Sequence, residues 1–204
     1  MVQKRESTLI RQKQLINAAR KLIIKYGSEH VTVRRMAKEI GVSEGAIYRH
    51  FKSKRDILSL LLDDIENTLL AELELKATGS PCTLETLESV ITTHMSHVIQ
   101  RRGTSFQVIA EIISLGDKRL NKKAYGVINE YTGRIKDILS EGVKAKVIRQ
   151  DIDLDATATL FFGMTQGLVN TWALSDYSFN LKQKYASLWM KSRVSAAQIT
   201  CNIL

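Results

Sequence analysis

The 204-residue chain carries 30 Lys and Arg against 21 Asp and Glu, a formal net charge of +9, with 44% hydrophobic residues and one proline. Cys82 and Cys201 lie far apart with no CxxC or Cys/His cluster, which argues against a disulfide framework or a zinc site, and no apolar run reaches the ~18 residues of a membrane span. A compact, helical, cytoplasmic protein is expected, with no cofactor and no membrane partner.

The charge is concentrated at one end. Residues 1–55 hold 14 basic and 4 acidic side chains, net +10, whereas residues 56–204 hold 16 and 17, net −1. A basic segment joined to a neutral one is the pattern expected of a nucleic-acid reader fused to a regulatory part.

After a polar start, residues 1–8, the spacing predicts a helix from Thr8 to Tyr26 with Leu15, Ala19, Leu22 and Tyr26 on one face and Gly27 as its stop. A short helix follows from Val33 to Ile40, with Thr32 as N-cap and Met36, Ala37 and Ile40 inward. Gly41-Val42-Ser43 then breaks the helix, and the Ser43 hydroxyl is placed to cap a second one running from Glu44 to about His50. Two short helices joined by a three-residue turn form a helix-turn-helix, whose second helix enters the DNA major groove.

Within that second helix Ile47 and Phe51 point to the core, leaving Glu44, Gly45, Ala46, Tyr48, Arg49 and His50 outward. Gly45 and Ala46 allow close backbone approach, Tyr48 and His50 can donate to phosphate, and Arg34, Arg35, Lys52 and Lys54 ring the motif with positive charge. Thr32 and Ser43 complete the candidate DNA-binding set. Arg34 has the chemistry to read guanine and Glu44 to accept from cytosine; Glu44 beside a helix N-terminus also has a purely stabilising role open to it.

Ser53 and Asp56 form a capping pair for a helix over residues 54–77, read as a connector. Thr78-Gly79-Ser80-Pro81 breaks the pattern, and a helix carrying Leu84, Leu87, Ile91, His94 and Val98 runs to Arg101-Arg102-Gly103. Further helices are expected from Thr104 to Leu115, through Leu120 to Leu139, from Leu154 to about Leu174 behind an Asp153 cap, and from about Leu181 towards Cys201. Gly126 and Gly133 inside the long helix mark either a bend or close packing.

The stretch GVSEGAIYRHFKSKRDIL, with Ile47-Tyr48-Arg49-His50-Phe51-Lys52-Ser53-Lys54 at its heart, resembles the signature of the tetracycline-repressor family of bacterial transcriptional regulators. The likeness covers roughly residues 10 to 60. It implies an all-α protein: an N-terminal three-helix helix-turn-helix domain (1–53) joined by a long helix (54–77) to a C-terminal helical ligand-binding and dimerisation domain (within 54–204). The function it implies is a repressor that binds a palindromic operator in double-stranded DNA as a homodimer and is released by a small, largely apolar effector.

The same resemblance implies a ligand cavity among the middle helices, for which His94, Met95, Val98, Phe106, Ile109, Ile113, Tyr125, Phe162, Gln166 and Val169 are candidates. His94 and Gln166 are the polar members of otherwise apolar lines. A four-helix dimer interface is implied for the last two helices, with Leu160, Gly163, Met164, Gly167 and Thr171 on the first and Tyr185, Leu188, Trp189, Ser192 and Ala196 on the second. Two other classes compete: a ligand-independent architectural DNA binder, and a metal-dependent helical-bundle enzyme using His94, His97 and Glu111.

Overall fold

The computed structural model describes residues 8–27, 30–49, 51–77 and 84–196. Among these the chain forms nine helices and no strand: α1 (Thr8–Tyr26), α2 (Val33–Ile40), α3 (Glu44–Tyr48), α4 (Lys54–Ala77), α5 (Leu84–Gln100), α6 (Thr104–Leu115), α7 (Lys118–Lys144), α8 (Leu154–Leu174) and α9 (Leu181–Ala196). They fall into two compact units, residues 1–65 with 104–125 and residues 66–103 with 126–204, so that α4 and α7 each run from one unit into the other.

In the first unit α1 buries Leu15, Ala18, Ala19, Leu22 and Ile23, the three- and four-residue spacing of a single face. That face packs on α2 and α6. Val33, Met36 and Ala37 of α2, Ile47 of α3 and Phe51 are buried with it, as are Ile57, Leu58, Leu61, Leu62 and Ile65 of α4 and Val108, Ile109 and Ile112 of α6. Each of the larger side chains among them contributes about 1.5–3 kcal/mol of transfer free energy. Tyr26 departs from the expected face. It is exposed, because α1 ends at once in Gly27 with φ 93°, and its ring takes the Arg35 guanidinium at 5.4 Å and the Lys25 ammonium at 5.1 Å.

Ion pairs tie the first half of α4 to its neighbours in this unit. Lys54 meets Glu111 at 2.5 Å, Arg55 meets Asp117 at 2.7 Å, and Lys123 meets Asp63 at 2.5 Å; Arg20 of α1 pairs with Asp64. All remain partly exposed, so each is worth at most about 1 kcal/mol. Asp117 also caps α7, accepting from the Leu120 and Arg119 N–H groups at 2.9 and 3.0 Å.

In the second unit α8 and α5 both pack on α9. His94, Met95 and Val98 of α5, Val127, Tyr131, Ile135 and Leu139 of α7, Phe161, Thr165, Val169 and Trp172 of α8, and Leu181 and Tyr185 of α9 are buried. Asp153 caps α8 by accepting from the Asp155 and Ala156 N–H groups. Among the described residues, a β-carbon at Gly126 or Gly133 would meet nothing within 4 Å, which does not support close packing there. Gly103 is tight, at φ +66° and against Val169. No described helix is long and apolar enough to cross a membrane.

Candidate nucleic-acid interface

The helix-turn-helix is assembled by local hydrogen bonds that its sequence supplies. Thr32, extended at φ −127° and ψ 153°, accepts the Arg35 N–H on Oγ1 at 3.2 Å and so opens α2. Gly41 closes it in the left-handed region, φ 71° and ψ 35°, and the Val42 N–H returns to the Ala37 carbonyl at 3.0 Å. Ser43 then opens α3, its Oγ accepting the Ala46 N–H at 3.2 Å. The chain runs on from α3 with the Phe51 N–H bonded to the Ile47 carbonyl at 2.9 Å, and both side chains are buried.

With that core side filled, the opposite side faces solvent. Thr32, Arg34, Arg35, Ser43, Glu44, Gly45, Tyr48 and Arg49 are exposed and Ala46 is half-buried. The Tyr48 phenol, half in water, is free to reach a phosphate or base edge. Helix α3 ends at Tyr48, earlier than expected, and His50 lies outside the described residues. Lys54 is placed differently from the other basic residues: it is half-buried, with its ammonium on Glu111.

The residues expected around a ligand are divided between the units. In the second, His94, Met95, Val98 and Val169 are buried and Phe162 is half-buried. His94 Nε2 lies 2.9 Å from the Tyr131 hydroxyl, and the Phe161, His94, Tyr131 and Phe162 rings follow one another in that order at centroid distances of 5.4 to 6.5 Å. Tyr131, a phenol on an otherwise aliphatic face, is not among the residues expected around a ligand but lies with them here. Phe106 and Ile109 are buried in the first unit.

Three of the expected lining residues are corrected. Ile113 is 67% and Tyr125 65% exposed, because burial selects their neighbours Ile112 and Ala124 instead. Gln166 turns its amide to Asn170, one turn further along α8, at 3.0 Å, and not to the core.

Among the residues expected at a dimer contact, Leu160, Gly163, Gly167 and Thr171 are exposed and Met164 and Leu188 half-buried. Among the described residues a β-carbon at Gly163 or Gly167 would touch nothing within 4 Å, and Leu174, 89% exposed, extends the same helical face. Tyr185 is a correction: it is 3% exposed, edge-on to Phe161 at 6.3 Å. Burial holds its phenol far above the usual value, with the neighbouring Thr165 hydroxyl offsetting part of the rise. The side chains of Trp189, Ser192 and Ala196 lie outside the described residues.

The residues weighed as a metal set, His94, His97 and Glu111, fall in different units. Glu111 is engaged by Lys54 and His94 by Tyr131, and among the described residues no three His, Cys, Asp or Glu side chains stand together as metal ligands would.

Comparison with known proteins agrees with this geometry. The sequence model described as "Bacterial regulatory proteins, tetR family" matches residues 15–61, and the one described as "YsiA-like protein, C-terminal region" matches residues 62–190. The fatty acid metabolism regulator protein of Bacillus subtilis (strain 168) is 27% identical over 168 residues, 82% of this chain and 86% of that protein. The nucleoid occlusion factor SlmA of Edwardsiella ictaluri (strain 93-146) is 24% identical over 194 residues, 93% of this chain and 96% of that protein. The crystal structure of the transcriptional regulator FadR from Bacillus subtilis in complex with stearoyl-CoA superposes with a TM-score of 0.71 at 27% identity, covering 86% of this chain and 94% of that one.

Proposed function

Because the chain belongs to the tetR family of bacterial regulatory proteins and is a DNA-binding transcriptional regulator, we propose that it is a repressor, not an enzyme. It binds a palindromic operator as a homodimer and is released by a small, largely apolar effector. In this reading residues 1–53 read DNA, residues 54–77 connect, and the remainder of 54–204 binds the effector and dimerises. The observation that carries it is the capped helix-turn-helix with Tyr48, Arg34 and Arg49 on its open side.

The effector proposed is a long-chain acyl thioester. The similar regulator from Bacillus subtilis was crystallised with stearoyl-CoA. The second unit of this chain buries an apolar group of rings around one polar pair, His94 and Tyr131, which suits a long apolar chain with a single polar feature. The dimer contact proposed is the exposed stripe of α8 from Leu160 through Gly163, Gly167 and Thr171 to Leu174. It has the small and apolar composition that lets a second copy approach. A ligand that favours a different separation of the two heads would draw the population off DNA.

The test is titration of stearoyl-CoA into a preformed complex of protein and its selected duplex, followed by fluorescence anisotropy. Release at a stoichiometric ratio supports the reading, and tightening of the complex reverses its sign. The similarity to nucleoid occlusion factors favours an architectural DNA binder as the second reading; binding indifferent to both sequence and acyl-CoA would carry that alternative.

A further inference from the structure

Lys54, the first residue of α4, holds its ammonium 2.5 Å from a carboxylate oxygen of Glu111 on α6, both within the first unit. The two side chains are 31% and 18% exposed, so water screens the pair only in part. Arg34 and Arg49, by contrast, stand open to solvent on the same unit. One of the cations that ring the helix-turn-helix is therefore already neutralised by a residue 57 positions further along the chain.

We propose that Glu111 competes with DNA phosphate for Lys54, and that α6 thereby carries a built-in brake on the head's affinity for DNA. The inference rests on the reading of Lys54 as a phosphate contact. A lysine gains affinity for DNA chiefly by releasing a condensed counterion. When Lys54 leaves Glu111 for a phosphate, DNA still gives up a counterion, but the Lys54–Glu111 attraction is lost, and that loss offsets part of the gain. With glutamine at position 111 that ion-pair attraction is absent from the free protein and no longer offsets the phosphate contact. Glutamine keeps the shape of the side chain and an oxygen that can still accept from Lys54.

The experiment compares wild type, Glu111→Gln, Lys54→Gln and the double variant on an end-labelled duplex that the wild type selects from random DNA. Anisotropy is read between 50 and 200 mM KCl, and a circular-dichroism melt of each variant verifies folding. Lys54→Met, which keeps the aliphatic stem, replaces Lys54→Gln if the latter unfolds. Glu111→Gln is expected to bind more tightly than wild type across this salt range, by up to about fivefold, the equivalent of the roughly 1 kcal/mol that such a pair contributes. Lys54→Gln is expected to erase that gain in the Glu111→Gln background and to cost far less in the wild type. A Glu111→Gln variant that binds no tighter than wild type overturns the proposal. So does an equal cost of Lys54→Gln in both backgrounds, which leaves Lys54 a phosphate contact without a competitor. If Lys54→Gln changes nothing in either background, the phosphate reading itself falls and the proposal with it.

Discussion

The Tyr131 hydroxyl lies 2.9 Å from His94 Nε2 in the interior of the second unit, where the imidazole is 2% and the phenol 4% exposed. Removing one partner takes this hydrogen bond from the other, away from water. Tyr131→Phe is expected to cost about 1–3 kcal/mol in urea unfolding, whereas the pair His94→Leu with Tyr131→Phe, which removes both polar groups, is expected to cost less than the sum of the single changes. Additive losses would mean that the two side chains contribute independently.

Gly103 is the second interior point at which one atom decides. A β-carbon there would lie 2.3 Å from Val169 Cγ1, and the backbone is left-handed. Gly103→Ala therefore combines a clash with a strained φ and is expected to lower stability by more than about 2 kcal/mol. Adding Val169→Ala is expected to recover part of that loss, since it relieves the clash and leaves the φ strain. Thermal melts of the three proteins provide the comparison.

Ser43 separates stability from recognition. Its hydroxyl caps α3 on the exposed side of the motif. Ser43→Ala is expected to cost about 1 kcal/mol of stability. Ser43→Asp keeps a capping oxygen and so the stability, but it sets a negative charge against DNA. It should melt like the wild type and bind duplex DNA much more weakly; equal DNA binding by Ser43→Asp would remove this position from the interface.

Asp117 should leave a mark on acid stability. Its carboxyl is held below the usual range, first by the Leu120 N–H; burial, next in size, opposes this, and Arg55 and the Arg119 N–H add to the lowering. A depressed carboxylate adds stability that is present above its unfolded value, ~3.9, and is lost as pH falls through the folded value. The wild type is thus expected to exceed Asp117→Asn in urea midpoint at pH 5 to 7, with the gap closing below about pH 4. A gap that persists at pH 2 would assign the difference to something other than ionisation.

The helix-turn-helix was legible because everything that builds it is local. Thr32 and Arg35, Gly41 and Val42, and Ser43 and Ala46 are neighbours in sequence, and their cap chemistry states where each helix starts and stops. The deeper site was less legible because periodicity marks a stripe but not which edge of it is covered. Ile112 and Ile113 are the same residue type in adjacent positions, yet only the first is buried. Tyr185 reads equally well as an interface or a core aromatic until its contact with Phe161 places it inside. Lys54 and Glu111 are invisible as a pair from sequence, since nothing local joins positions so far apart.

The central claim, sequence-specific DNA binding by a symmetric dimer through α3, is tested most directly by selecting sites from random duplex DNA at near-physiological salt with wild type and Tyr48→Ala in parallel. The expected result is enrichment of a palindrome whose half-sites are about one helical turn apart, and its loss in Tyr48→Ala with the melting temperature unchanged. Duplex retained without enrichment of any sequence, or the same palindrome enriched equally by Tyr48→Ala, would contradict it.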